Sequence, residues 1–153
     1  MVKEIIEVNK QDTNKQEETK KDKVADKVYK VGYSVEVNNL QITFNFTKYA
    51  ELSEFYTSDK GNVLEIAFSA KNNGKKESYF RSEELKIVDA NGNQFKEYFG
   101  ADDAFMNENI SPRNQITGKM CYDVAEFEEY IGTYKPNFTF DEKSVQFEFT
   151  ATQ

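Results

Sequence analysis

The side chains best equipped for chemistry in this chain are its carboxylates, and they fall into three groups. Asp123, Glu126, Glu128 and Glu129 could supply the carboxylate pair of a glycoside hydrolase, in which burial raises the pKa of the general acid. Asp102, Asp103 and Glu108 offer oxygen ligands to a divalent cation. Asp89-Ala90-Asn91-Gly92-Asn93 has the look of a calcium loop, without the further ligands, the distal Glu and the two flanking helices of an EF-hand. Each group has a plainer reading: no cleft is visible around the first, an exposed acidic loop is usually solvated, and the third suits a hairpin turn. Cys121 is the single thiol and the chain has no His, so neither a Cys–His pair nor a Ser–His–Asp triad can form. The commonest zinc ligand is missing with it. Cys121 is therefore read as a small buried hydrophobe, and the chain as a non-enzyme with no cofactor and no metal.

A binding surface is the alternative to catalysis. Tyr98, Phe99, Phe105 and Tyr130 are candidates for an exposed aromatic patch, although core burial is the commoner fate of such rings. The partner-binding residues expected are Tyr98, Phe99, Asp102, Asp103, Phe105 and Met106. A net charge of −7 argues against nucleic acid, whose backbone is gripped by Lys and Arg. It argues in the same way against docking on an anionic membrane through a basic patch. No apolar run approaches the ~20 residues that span a bilayer. Met1-Val2-Lys3-Glu4 leads into charge rather than a signal peptide, so an exported protein would carry Met1 as an added start.

The elements that position these residues are strands. In Gly61–Gly74, reading GNVLEIAFSAKNNG, Leu64, Ile66 and Phe68 recur at every second residue, so they share one face of a central strand. Asn73-Gly74 ends it. Before it, Tyr33–Val37 and a strand bearing Leu40, Ile42, Phe44 and Phe46 on one face flank Asn38-Asn39 as a hairpin. After it come Ser78–Phe80, Leu85–Val88, a turn at Asp89–Gly92, and Gln94–Tyr98. Gly100–Arg113 reads as an irregular connection, with Phe105 and Met106 available to cover the core. Gln115–Val124 is a strand, Ala125–Ile131 an acidic helical turn, Asn137–Phe140 a short strand, and Val145–Thr150 the last strand, with Phe147 and Phe149 on one face. The sum is an all-β fold, an antiparallel sandwich of about seven to nine strands spanning residues 29–153.

Residues 1–28 differ in character. Up to Lys27 they contain no aromatic residue, Gly or Pro, and their charges cancel, so the whole net charge belongs to the domain. Such a segment buries too little apolar surface to offset its ordering entropy and is expected to be a tether. Its alternatives are a surface helix around Glu17–Asp22 and an edge strand around Ile5, Ile6 and Val8.

The order of these turns and strands resembles one bacterial family. Val31–Val37 followed by Leu40–Phe44 is similar to its "vGdtvevgglkitv" hairpin, and Gly61–Gly74 to its strand ending "vkNnG". Leu85–Phe95 is similar to its "l.DanGnky" hairpin, and Ile110–Met120 to its "l.PGet.sG.v.F.V" strand, with Arg113 where the family usually has Gly. The family is domain of unknown function 4352, and the resemblance covers roughly residues 31–150. It implies an immunoglobulin-like sandwich on a Gram-positive surface lipoprotein, extracellular and held by a lipidated Cys upstream of a polar tether, or else secreted. It implies no mechanism. The expected role is binding of a protein, cell-wall or small-ligand partner through loops at one end of the sandwich. The alternatives are an accessory or inhibitor subunit of an envelope complex, a carboxylate hydrolase, and an intracellular binding domain. Oligomeric state is left open, since edge strands permit pairing.

Overall fold

Leu64, Ile66, Phe68 and Ala70 are all buried on one face of the strand Asn62–Asn72, as their spacing predicts. In this computed structural model, which describes residues 5–7, 27–52, 57–100, 104–105, 107–136 and 144–151, that strand is the fifth of twelve among the described residues. The strands are β1 (Ile5–Glu7), β2 (Val28–Lys30), β3 (Ser34–Val37), β4 (Leu40–Tyr49), β5 (Asn62–Asn72) and β6 (Ser78–Arg81). They continue with β7 (Leu85–Val88), β8 (Gln94–Glu97), β9 (Asn107–Ile110), β10 (Gln115–Val124), β11 (Tyr130–Tyr134) and β12 (Val145–Phe149). No α-helix occurs among the described residues.

Hydrogen bonding runs β1-β3-β4-β5-β10-β8-β7-β11-β12-β2, with β6 and β9 as a separate pair. The ladder turns over at β8, whose first residues pair with β7 and whose last pair with β10. Two layers therefore face each other, and rings from both fill the space between them. Phe44 on β4 meets Phe147 and Phe149 on β12 edge-on at 4.7 and 5.4 Å, although those strands are not sheet neighbours. Phe68 and Phe80 pack at 4.8 Å. This is the expected all-β sandwich, with more strands than the sequence announces and one parallel pair, β12 with β2.

Asn38 and Asn39 both take left-handed φ, 51° and 70°, and close the β3–β4 hairpin. Phe44 and Phe46 do not share a face. The register shifts between them, so Phe44 is fully buried while Phe46 is 51% exposed. The extra residue of a bulge reverses the side-chain alternation beyond it. Thr47 then points inward, and its hydroxyl donates to the Thr150 carbonyl at 2.6 Å.

Two further expectations change. The connection Gly100–Arg113 contains β9, which pairs with β6 through a sequence, Asn107-Glu108-Asn109-Ile110, that buries only Ile110. The segment Ala125–Ile131 holds no helical turn; β11 begins within it at Tyr130. Asn137–Phe140 lies outside the described residues, as does residues 8–26 of the tether. Ile5–Glu7, the edge-strand alternative for the tail, pairs antiparallel with β3. That ladder is worth ~0.5–1.5 kcal/mol per hydrogen bond against ~1–2 kcal/mol per ordered residue, so β1 adds little net stability.

Arg113 occupies φ 72°, with its amide donating to the Asn72 carbonyl at 2.8 Å. The turn thus keeps the left-handed backbone that a Gly would adopt freely. An L-residue there costs ~1–2 kcal/mol, part of which Gly recovers against its larger unfolded-state entropy. Arg113→Gly is expected to raise stability by ~0.5–1 kcal/mol, read as a higher urea midpoint at unchanged slope.

Candidate functional site

Asp89 and Asp123, the two candidate chemical carboxylates nearest the core, are occupied by the backbone. Asp89 Oδ1 accepts the amides of Asn91 and Asn93 at 2.8 and 3.0 Å, and Oδ2 accepts Asn93 Nδ2 at 3.0 Å. This closes the β7–β8 turn around Gly92, φ 86°. Burial raises the Asp89 pKa, but the hydrogen bonds from Asn93, Asn91 and Gly92 outweigh it and hold the carboxyl below its ordinary range.

Asp123, on β10, clamps the loop that leads into β5. Its Oδ1 accepts Ser58 Oγ at 2.5 Å and the Lys60 amide at 2.9 Å, and its Oδ2 accepts the Asp59 amide at 2.8 Å. Burial again raises the pKa, and the Ser58, Lys60 and Asp59 donors with the Lys60 charge lower it further than that. The folded pKa therefore lies below the unfolded value of ~3.9. The stabilisation is complete above that value and is lost as pH falls through the folded pKa. Asp123→Asn is expected to lower the urea midpoint at neutral pH, with the gap to the parent closing below about pH 4. A gap that ignored pH would show that the clamp does not depend on the charge.

Cys121 is 3% exposed. Burial, with the Glu65 charge, pushes its thiol up to about 11 against the opposing charge of Lys119. It stays protonated at neutral pH and is a packing residue.

The expected partner-binding segment divides. Phe99 is 51% exposed, whereas Phe105 turns inward, with its ring 4.8 Å from Phe68 and 5.6 Å from Phe80. Tyr98 is half-buried, and its ring lies over Gly100, where a Cβ would stand 2.7 Å from the hydroxyl. Both flank β10: the Tyr98 amide donates to the Cys121 carbonyl and the Phe105 amide to that of Lys119, each at 2.8 Å. Asp102, Asp103 and Met106 lie outside the described residues. Tyr130, grouped with these rings by composition, is fully buried on β11. Glu108, from the acidic loop, is exposed on β9 beside Tyr79 and Arg81.

The remaining acidic residues rim a groove. Glu126, Phe127, Glu128 and Glu129 on the β10–β11 loop, with Tyr49, Thr150 and Ala151, enclose about 750 Å³. Tyr49, which lines it, joins a hydroxyl network with the buried Tyr130. Tyr130 donates to the Ala125 carbonyl at 2.6 Å, and the single Tyr49 hydroxyl proton is shared between the Tyr130 oxygen at 2.8 Å and the Phe127 carbonyl at 3.2 Å. The Phe127 amide donates to Tyr130 at 3.1 Å, so the loop is held from below at both sides. A second hollow of about 300 Å³, lined by Lys30, Phe46, Thr47 and Glu148 among others, adjoins it through Thr150. The neighbouring Glu148, through hydrogen bonding and its charge, raises the Glu129 pKa; Lys30, 3.7 Å from Glu148, works the other way. Among the described residues no three or more Asp, Glu or Cys side chains gather closely enough to hold a metal ion.

Strand direction places this groove. It lies at the C-terminal end of β12, beyond Phe149. β2 runs parallel to β12, so the chain enters β2 from the tether at the opposite end of the sandwich. Sequence reading found the groove's carboxylates but not Tyr49 or Thr150, which lie far from them in the chain and gave no signal.

The family described as a domain of unknown function, DUF4352, matches residues 29–145. No curated protein matches the sequence. Several solved structures share the fold, among them the following three. The yjhA protein of Bacillus subtilis is 14% identical, with a TM-score of 0.63 over 80% of this chain and 99% of its own. A candidate lipoprotein of the same organism, ycdA, is 20% identical, with a TM-score of 0.64 over 76% of this chain. This chain spans only 38% of the length of ycdA. The secreted protein MPT63 of Mycobacterium tuberculosis is 15% identical, with a TM-score of 0.52 over 76% of this chain and 83% of its own.

Proposed function

The chain belongs to the family described as a domain of unknown function, DUF4352, and on that ground we propose that it is a non-enzymatic binding module displayed on the cell surface. A lipidated Cys upstream of the tether would hold it there, in line with the lipoprotein and secreted descriptions attached to two structural neighbours. The observation that carries the reading is the position of the groove, at the end of the sandwich remote from the tether. Its rim of Glu126, Glu128 and Glu129 suits a partner that presents ammonium or guanidinium groups, on a protein or on a cell-wall peptide. Phe99, exposed on the flank of β10, supports a second contact face through the segment Tyr98–Met106.

Hydrolysis fits this geometry less well. An acid–base pair of carboxylates works ~5–9.5 Å apart across a glycosidic bond. Asp123, one of the candidate carboxylates, is instead engaged by Ser58 and by the Asp59 and Lys60 amides in the loop that leads into β5. An accessory or inhibitory role differs from general binding only in the partner being an enzyme or envelope complex.

The test is crosslinking on cells that express the full-length protein, comparing Glu126→Lys/Glu128→Lys with Phe99→Ala. Loss of the captured partner by roughly tenfold or more in the charge-reversed variant is expected. Loss only with Phe99→Ala would move the binding face to the β10 flank. Capture unchanged in both would remove the proposed surface, and an unmodified N-terminus in the soluble fraction would remove the anchor.

A further inference from the structure

The first sheet ends in a strand that the chain supplies from a distance. β1 pairs with β3 through Ile5↔Val37, Ile6↔Glu36 and Glu7↔Val35, and residues 8–26 separate it in sequence from the rest of the described domain. Without β1, β3 is a four-residue edge whose Val35 and Val37 face the core and whose amides and carbonyls on that side have no ladder. Three residues of ladder are of the same order as the entropy of ordering them, so the docked and released forms of β1 are close in free energy. The link from Glu7 to Lys27 has a contour of about 65 Å, more than the width of a domain of this size. It can deliver β1 to its own β3 or to that of a neighbour.

We infer that the β3 edge is a docking site for a second copy of this chain, which inserts its own Ile5–Glu7 strand in a reciprocal exchange. The occupant is fixed by the observation that this strand, in this register, already fits the edge. Exchange reuses the same backbone bonds in both protomers, so it needs no new complementary surface. A closed two-fold dimer leaves neither β3 edge open, which a single displaced strand does not achieve. The site is separate from the acidic groove, and its failure would leave the binding proposal standing.

Disulfide trapping in full-length protein carrying Cys121→Ala decides the matter. The double variant Ile6→Cys/Glu36→Cys probes the register within one chain. A mixture of the two single variants, Ile6→Cys and Glu36→Cys, probes it between chains, because only exchange brings those thiols together. The expected result is a heterodimeric disulfide in the mixture. Its yield should rise roughly in proportion to protein concentration at low occupancy and should persist or increase when residues 1–7 are removed from the copy bearing Glu36→Cys, whose β3 edge is then open to the other copy's strand. An intramolecular disulfide in the double variant with no heterodimer in the mixture at millimolar-order concentration overturns the exchange. No disulfide in either arrangement overturns the docking of β1 itself.

Discussion

Gly132→Ala is expected to lower stability by roughly 1–3 kcal/mol, and Gly132→Val by more, because the core has no room for a side chain there. Gly132 sits at the centre of β11, between Ile87 and Phe147 in register. A Cβ would stand 2.5 Å from a ring carbon of Phe149 and 3.1 Å from the Cδ1 atoms of Ile87 and Leu85. None of the three can swing clear. Phe149 is fully buried, edge-on to Phe44 at 5.4 Å and stacked beside Phe147 at 6.3 Å, so displacing its ring disturbs both layers. Against a typical net stability of ~5–15 kcal/mol this is a large loss. Equilibrium urea unfolding measures it, and adding Phe149→Leu to Gly132→Ala should recover part, since the two changes share one volume. A Gly132→Ala midpoint equal to the parent would mean that the rings do not pack in this way.

Asn72 carries the second large effect. It is 1% exposed at the end of β5, and every part of its amide is used. Nδ2 donates to the carbonyls of Lys76 and Ile110 at 2.7 and 2.8 Å, and Oδ1 accepts the Gly74 amide at 2.9 Å. Its backbone amide donates to the Asn114 carbonyl, and its carbonyl accepts the Arg113 amide, at 2.9 and 2.8 Å. One residue thus fastens the β5–β6 turn, the end of β9 and the β9–β10 turn. Asn72→Ala leaves the buried Ile110 carbonyl without its donor and should cost about 2–4 kcal/mol. Asn72→Asp has the same shape but turns an anionic oxygen toward two carbonyls, so it should cost at least as much at neutral pH. The comparison separates lost donation from lost volume: a harmless Asp variant would refute the assignment of Nδ2.

These residues show where the sequence was legible. Leu64, Ile66 and Phe68 announced β5 because a half-buried strand writes its burial as alternation, and Asn38-Asn39 announced a hairpin because few other residues tolerate that backbone. The bulge at Asn45 was not legible: alternation continues through Phe44 and Phe46 in the sequence, while the extra residue reverses it in space. β9 was missed for the opposite reason, since Asn107-Glu108-Asn109 is polar throughout and is a strand only because β6 offers it an edge. β11 was hidden by Gly132, which occupies a core position without an apolar side chain to mark it. Asn72 gave no sign of its role, because its partners at Lys76 and Ile110 are defined by the fold.

The site was legible only in part. Glu126, Glu128 and Glu129 stood out by charge, but their grouping with Tyr49 and Thr150 depends on how β4 and β12 end beside the β10–β11 loop. Asp123 belonged to the same run of carboxylates, yet alternation turns it to the other side of β10, where it serves the Ser58–Lys60 loop. Phe105 was grouped with Phe99 by composition, and the backbone sends one ring inward and the other out.

The parallel pairing of β2 with β12 also determines how the domain would bear force. Once β1 is released from β3, a load applied between the tether and the distal groove runs along these two strands, drawing β2 lengthwise past β12. The bonds that join Val28, Tyr29 and Lys30 to Gln146, Phe147 and Glu148 are then strained together, rather than parted one at a time as in a hairpin pulled open from its ends. Tyr29, 1% exposed and with its ring 6.0 Å from that of Phe147, must be dragged out of the core in the same movement. The β2–β12 junction thus resists tension as a shear joint.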